Sequence, residues 1–275
     1  MNNDDWRLLN LEYDDPYMNV ALEEAIMTRV GSEIAPCTLR FWRNMRAVVI
    51  GSFQSTDLEV DLDACEMENM PVIRRVSGGG AVYHDEGNLN YSLFLLKTHP
   101  LAFRGFQNVF KEVGSVVTEA LRTLGLDVER PSQNSIAVGN RKISGLAGAV
   151  KHGAILVHGS LLIHSNLSCL HNVLGLNRTF SPVNYRRAFT RSQKMKVINL
   201  EEALDHKVSL NDIKGILLTA FEDLFSVKFL PGGLTESEEI LLRTLYNTKY
   251  RLKKWNFKYS TSSLSRRFSP YRRVL

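Results

Sequence analysis

A chain of 275 residues, 44% hydrophobic and 23% charged, is long enough to bury a full core and has an ordinary globular composition. It contains no apolar run that approaches a membrane span, and its acidic, polar start argues against a secretory leader, so the expected setting is cytoplasmic. The net charge of +5 is modest, and Cys37, Cys65 and Cys169 form no C-x-x-C pair, which argues against a zinc site or a disulfide framework.

Residues 6–11 read as an opening strand, and Asp14-Asp15-Pro16 marks a turn into a helix over 16–30. Residues 38–42 and 47–50 read as strands, followed by a charged helix over 58–69. A strand at Val72 and Ile73 delivers the run RRVSGGGAVYHDEGNLNYS, and residues 89–96 leave it as a strand in which Asn90 and Ser92 alternate with Leu89, Tyr91 and Leu93. Residues 103–124 carry a helical apolar stripe that Gly125 ends. Three strand-like runs follow, at 135–138, 142–149 and 154–164, with turns at Gly139-Asn140 and Lys151-His152-Gly153.

A short helix over 167–174 leads into a polar, basic connection over 180–196. A helix over 208–225 opens near Ser209, and a strand follows at 227–230. The last helix, 235–250, opens with Thr235 and Glu238 at capping-box spacing. Residues 258–275 are strongly basic and read as a flexible tail, with a docking surface for an acidic protein as the sharper alternative. The interleaving of helices with hairpin-connected strands predicts an α+β fold with mixed, largely antiparallel sheets, and no nucleic-acid-binding signature is present.

Three stretches carry the candidate chemistry. Three consecutive glycines, Gly78, Gly79 and Gly80, suit either a hairpin turn or a backbone that closely approaches a ligand. Arg74, Arg75, His84 and Asp85 around them favour a site, with both arginines expected to supply charge to an anion. A Rossmann motif and a Walker A loop both fail, since a strand follows the glycines and no Gly-Lys-Ser/Thr ending exists. In the second stretch, Lys142 stands beside small residues that leave room for a ligand: Ser144, Gly145, Ala147, Gly148 and Ala149. The third is His158-Gly159-Ser160 inside an apolar run. His84 and His158 share no metal-ligand spacing, and no side-chain metal site is assigned.

Together these stretches resemble the lipoate–protein ligase family of the biotin/lipoate ligase group, and the Lys249-Tyr250 and Trp255-Asn256 pattern downstream resembles its archaeal-type members. Residues 74–90 match its RRxSGGGxVxHDxGNxN pattern, Arg141 to Gly145 its lysine motif, and His158 to Leu161 its HG-containing strand. The resemblance implies a catalytic domain over 1–257 that activates lipoate with ATP and Mg²⁺ to lipoyl-adenylate. The lipoyl group then passes to a lysine of a lipoyl domain of a 2-oxoacid dehydrogenase complex or of the glycine cleavage H protein. It implies Lys142 as the catalytic cation, with substrate-binding roles for Arg75, Ser77, Gly78, Gly79, Gly80, Ala81, Val82, His84, Asn134, Ser144, Gly145, Ala147, His158, Gly159 and Ser160. Val76, Val82 and Leu146 are candidate walls of an acyl tunnel.

The chain departs from the family at Ser135, where many ligases carry aspartate, and in having only about twenty residues after Trp255. The latter makes a separate accessory protein an expectation. The rival readings are an octanoyltransferase of the same scaffold and a non-catalytic lipoyl-domain-binding protein. The first needs a cysteine near the lysine motif or before the HG strand, and neither segment has one.

Overall fold

The computed structural model describes residues 5–174 and 189–259. The residues of the 180–196 connection up to 188 and those of the basic tail from 260 onward lie outside this description. In chain order the strands are β1 (Asp5–Asn10), β2 (Thr38–Trp42), β3 (Arg46–Ile50), β4 (Val72–Arg74), β5 (Val82–Asp85), β6 (Asn88–Leu96), β7 (Val128–Ser132), β8 (Ser135–Val138), β9 (Arg141–Lys151), β10 (Ala154–Leu162) and β11 (Lys228–Pro231). The helices are α1 (Pro16–Gly31), α2 (Thr56–Glu59), α3 (Leu62–Met67), α4 (Phe106–Arg122), α5 (Leu167–Val173), α6 (Leu200–Leu204), α7 (Leu210–Phe225), α8 (Glu236–Leu245) and α9 (Lys253–Asn256).

Eight strands form one sheet in the order β11-β1-β2-β6-β10-β9-β8-β7, antiparallel except where β1 joins β2 and β11. A second sheet has the order β4-β3-β5. The fold is thus the mixed, largely antiparallel α+β arrangement that the sequence predicts. On β6 the alternation is as read: Leu89, Tyr91, Leu93 and Leu95 pack into the core under α4 and α7. The opposite face carries Asn88, Asn90, Ser92 and Phe94, and all four are buried too. Phe94 packs against α1 and Ser92 bonds to Glu23 of that helix, whereas Asn88 and Asn90 line the cavities beside the small sheet.

Several elements differ from the sequence reading. The helix expected over 58–69 splits, because Val60 is extended and Asp61 caps α3 by accepting from Ala64 N–H. The glycine run is not a hairpin turn: β4 and β5 flank β3 on either side, so the loop crosses the end of β3. The last helix ends as a π turn over Tyr246–Tyr250, where Lys249 and Tyr250 both bond to Glu24 of α1. The expected capping box is present, and Glu238 also receives both guanidinium ends of Arg7 on β1, at 2.6 and 2.7 Å, with neither side chain more than 6% exposed.

That ion pair joins α8 to the main sheet. Removing one partner leaves a buried charge unpaired, so Glu238→Ala is expected to destabilise by about 3–5 kcal/mol, whereas a double Arg7→Met, Glu238→Leu variant should regain most of it. Urea unfolding of the two variants measures both quantities.

Candidate functional site

Strand alternation sends the side chains of Arg74 and Arg75 to opposite sides. Arg74 is fully buried and donates to the carbonyls of Gly51, Gln54, Trp255 and Asn256 and to the Thr56 hydroxyl. It borders neither cavity, so the expectation that it supplies charge to a ligand is corrected: its donors are spent on backbone. Asp85 is structural as well, accepting from Gly87 N–H and, at the start of α5, from Asn166 N–H.

Arg75 turns inward and is 4% exposed. Its guanidinium donates to the carbonyls of Val49, Gly78 and Gly80, and its Nε reaches the Ser77 hydroxyl at 2.8 Å. Gly79 has φ +83°, and a Cβ there would lie 2.9 Å from Arg75 Nη2 and 3.0 Å from Ala147 Cβ. With the carbonyls turned to the arginine, the N–H groups of Gly79 and Gly80 carry no hydrogen bond among the described residues. Ala81 N–H donates to Ser192 Oγ. Free backbone N–H groups beside a fixed cation make an anion-binding concavity.

Between this loop and the polar face of the main sheet lies a cavity of about 350 Å³. Of the residues singled out in the sequence, Arg75, Gly79, Gly80, Ala81, Val82, His84, Asn134, Lys142, Gly145, Ala147, His158, Gly159 and Ser160 line it. Three others stand behind the wall. Ser77 meets His158 Nε2 at 2.7 Å, Gly78 N–H donates to the Gly148 carbonyl, and Ser144 Oγ meets the Tyr91 hydroxyl at 3.1 Å. Ser144 does border a second, smaller cavity of about 100 Å³ with Tyr83, Asn88 and Leu170. Val82 and Leu146 are walls of the larger cavity, but Val76 is 1% exposed in the core around α1 and is not. Gly159 borders the cavity only with backbone, since its missing Cβ makes room for the Tyr91 ring.

Lys142 lines both cavities and so stands at their junction. Its ammonium lies over Gly145, where a Cβ would come within 2.9 Å of Cε and Nζ. Among the described residues it has no ion pair and donates no hydrogen bond. Burial pulls its pKa down, and the charge of Arg75 adds to the effect. His84 is pushed down to about 3, first by burial and then by Arg75, so it is neutral, and its Nδ1 accepts from Asn44 Nδ2.

The sequence reading missed Glu23, Trp42, Asn90 and residues 190–193, which also line the larger cavity. Glu23 is 1% exposed and bonds to His158 Nδ1 at 2.9 Å and to the Ser92 hydroxyl. Burial pushes its pKa up, but His158, Arg40 and Ser92 outweigh that and hold it below the usual carboxylate range. An acid one step from an apolar helix stripe gives no periodic signal for such a role. Trp42 Nε1–H also donates to Ser92 Oγ. Ser135 is buried with its hydroxyl unpartnered and lines neither cavity. Among the described residues no three His, Cys, Asp or Glu side chains cluster to hold a metal, and no helix is long and apolar enough to cross a membrane.

None of the chain's three cysteines borders either cavity. Cys37 packs at the edge of the core under α4 and α7. Cys65 and Cys169 are buried in the small core beside β3 and α5.

Residues 15–222 match the family described as lipoyl protein ligase A/B catalytic domain. The chain is 33% identical over 261 residues to lipoate-protein ligase A subunit 1 of Thermoplasma acidophilum, covering 91% of this chain and 95% of that protein. It is 32% identical over 270 residues to the octanoyltransferase LipM of Moorella thermoacetica, covering 91% and 97%. Among solved structures, a bi-partite lipoate protein ligase from an archaeal lipoylation system, studied with its E2 lipoyl domain from T. acidophilum, superposes with TM-score 0.78 at 31% identity, covering 93% and 97%. A lipoate-protein ligase A bound with ATP superposes with TM-score 0.76 at 33% identity, covering 93% and 99%.

The three consecutive glycines are not equivalent. Gly79→Val forces a side chain into a left-handed backbone against Arg75 and Ala147, and is expected to destabilise by about 1–3 kcal/mol. A Cβ on Gly78 would meet only Phe53 at 3.9 Å, so Gly78→Ala should stay within about 0.5 kcal/mol of wild type in the same urea titration.

Proposed function

The chain belongs to the lipoyl protein ligase A/B catalytic-domain family, and from that premise we propose that it is an ATP-dependent lipoate–protein ligase. The observation that carries this reading over an octanoyltransferase is the placing of its reactive groups. Lys142 stands at the junction of the two cavities, while every cysteine lies elsewhere. An acyl-thioester route on the enzyme needs a cysteine at the reacting carbonyl. An adenylate route needs only cations and N–H donors around two anions.

In the first step a carboxylate oxygen of lipoate attacks the α-phosphorus of ATP, and pyrophosphate leaves. Mg²⁺ would enter with the ATP phosphates, since no carboxylate cluster among the described residues offers it a site. The Lys142 ammonium bridges carboxylate and α-phosphate oxygens, and the Gly79 and Gly80 N–H groups stand ready for phosphate oxygens. Arg75 acts by holding the Gly78 and Gly80 carbonyls back. In the second step the amine of a carrier lysine attacks the acyl carbonyl, AMP leaves, and an amide forms with loss of the amine proton. The relatives support lipoate, ATP and an E2 lipoyl domain as ligand, co-substrate and acceptor, and the bi-partite relative supports a separate accessory protein. Residues 1–257 would form the catalytic domain.

Lys142→Ala is expected to lower lipoate-dependent pyrophosphate release by about 10²–10³, on the scale of an oxyanion donor. Near wild-type release would remove Lys142 from the chemistry. In the same assay without carrier, the protonated lysine is the active form. Activity is therefore present at lower pH and lost as pH rises through a value below the usual 10.5 of lysine. An alkaline limb at or above 10.5 would contradict the burial of that ammonium. A Cys37→Ala, Cys65→Ser, Cys169→Ala variant should transfer lipoyl groups at near wild-type kcat, read by mass spectrometry of the carrier domain. ATP-independent transfer from an octanoyl carrier, lost in that variant, would instead establish the transferase.

A further inference from the structure

The floor of the larger cavity is a row of residues in register across four strands. Trp42 of β2 faces Asn90 of β6, Asn90 faces Ser160 of β10, and Ser160 faces Gly145 of β9. Residues in register share one face of a sheet, and neighbouring strands are about 4.8 Å apart. The Lys142 ammonium lies over the Gly145 end of this row. Asn90 is therefore about two strand spacings, or roughly 10 Å, from the cation. That is the reach of an extended eight-carbon acid whose carboxylate sits at Lys142.

Asn90 is 2% exposed, and both its Nδ2 and its Oδ1 lack a hydrogen-bond partner. The other polar groups around it are committed. Trp42 donates to Ser92, Glu23 bonds to His158 and Ser92, and Ser160 Oγ accepts from Asn88. Among the described residues, no other side chain lining this cavity is buried with an unpartnered polar atom. A buried carboxamide without a partner is destabilising, so its presence at the tail end of an acyl site asks for a ligand atom that can take a hydrogen bond.

An octanoyl tail offers none at this distance. The dithiolane ring of lipoate carries two sulfurs at the far end of the same chain, and a sulfur of this kind is a weak acceptor. We propose that Asn90 determines specificity: its buried Nδ2 donates to a dithiolane sulfur, and so the site selects lipoate over an all-carbon acid of the same length. This rests on the lipoate reading of the cavity and names what sets its preference. A site built to hydrogen-bond its ligand rejects an analogue lacking the partner because its own polar group is then left unpaired.

The test is calorimetric binding of the free acids, which needs neither ATP nor carrier. Lipoate is compared with 5-cyclopentylpentanoate, which keeps the five-membered ring and replaces both sulfurs with carbon, and with octanoate. Wild type is expected to bind lipoate about tenfold tighter than the cyclopentyl acid, a modest preference because the acceptor is weak. In Asn90→Leu that ratio should fall to near one, chiefly through tighter binding of the all-carbon acids. Asn90→Ala, with circular dichroism to confirm folding, serves as the second variant.

Equal binding of the two ring acids by wild type would overturn the proposal, as would a ratio that survives both substitutions. If the binding contrast is found without pyrophosphate release, the ligase reading fails alone. If pyrophosphate is released without the contrast, the Asn90 inference fails alone.

Discussion

Two consecutive arginines at the end of β4 hold this molecule together by pointing in opposite directions. Arg74 gathers four carbonyls from two distant segments, after β3 and at the C-terminal α9, whose Asn256 side chain in turn accepts Arg74 N–H. Arg75 gathers three carbonyls from β3 and the glycine loop. Neither guanidinium is accessible, and burial draws Arg75 down to about 10, still charged at neutral pH. Two buried cations are tolerated here because nearly all their donors meet oxygen. The loop that arches over the main sheet thus has its shape imposed from below by Arg75 and its root fixed from behind by Arg74.

A continuous chain of hydrogen bonds links that loop to the far end of the cavity. It runs from Arg75 Nε to Ser77, from Ser77 to His158, from His158 to Glu23, and through Ser92 to Trp42. Each member is buried, so each bond is costly to break singly. The chain crosses β10, β6 and β2 and reaches α1, which explains why a helix on the outside of the sheet contributes a carboxylate to the site. It also fixes the His158 ring, whose two nitrogens are both occupied by protein. His158 therefore acts as a wall and a strut.

Much of the site was legible because it violates local economy. Three consecutive glycines, and a lysine set among small residues, have poor packing value and ask for another reason. What could not be read was the direction of side chains and the identity of short polar strands. The run Val82–Asp85 is too short and mixed to declare itself as β5, and the Pro131 within β7 argues against a strand unless it lies at a sheet edge, as it does. The alternation of β6 correctly gave one apolar face. That its polar face is also buried depends on α1 and the small sheet covering it, a long-range fact invisible to a period of two. The placing of Lys142 depends on a register shift between Ile136 and Ala137 in the pairing of β8 with β9. No sequence pattern announced that shift.

The charges of the cavity also give it a direction. At one end the Lys142 ammonium has no ion pair among the described residues, and the Gly79 and Gly80 N–H groups lining the same cavity carry no hydrogen bond among those residues. At the other, the buried Glu23 carboxylate accepts hydrogen bonds from His158 and Ser92 and is balanced by Arg40, and His84 is neutral nearby. A buried carboxylate left unbalanced would repel an organic acid entering the cavity. Once balanced it adds little net field and leaves a polar but uncharged floor leading to Trp42. On the proposed reading, this arrangement favours an acid that enters with its carboxylate towards Lys142 and its tail towards Asn90 and Trp42. The same lysine also lines the second cavity, so in the proposed reaction the carboxylate would arrive where a second anion can meet it. In the proposed ligase, the electrostatic asymmetry of the two ends would align the reactants before any chemistry begins.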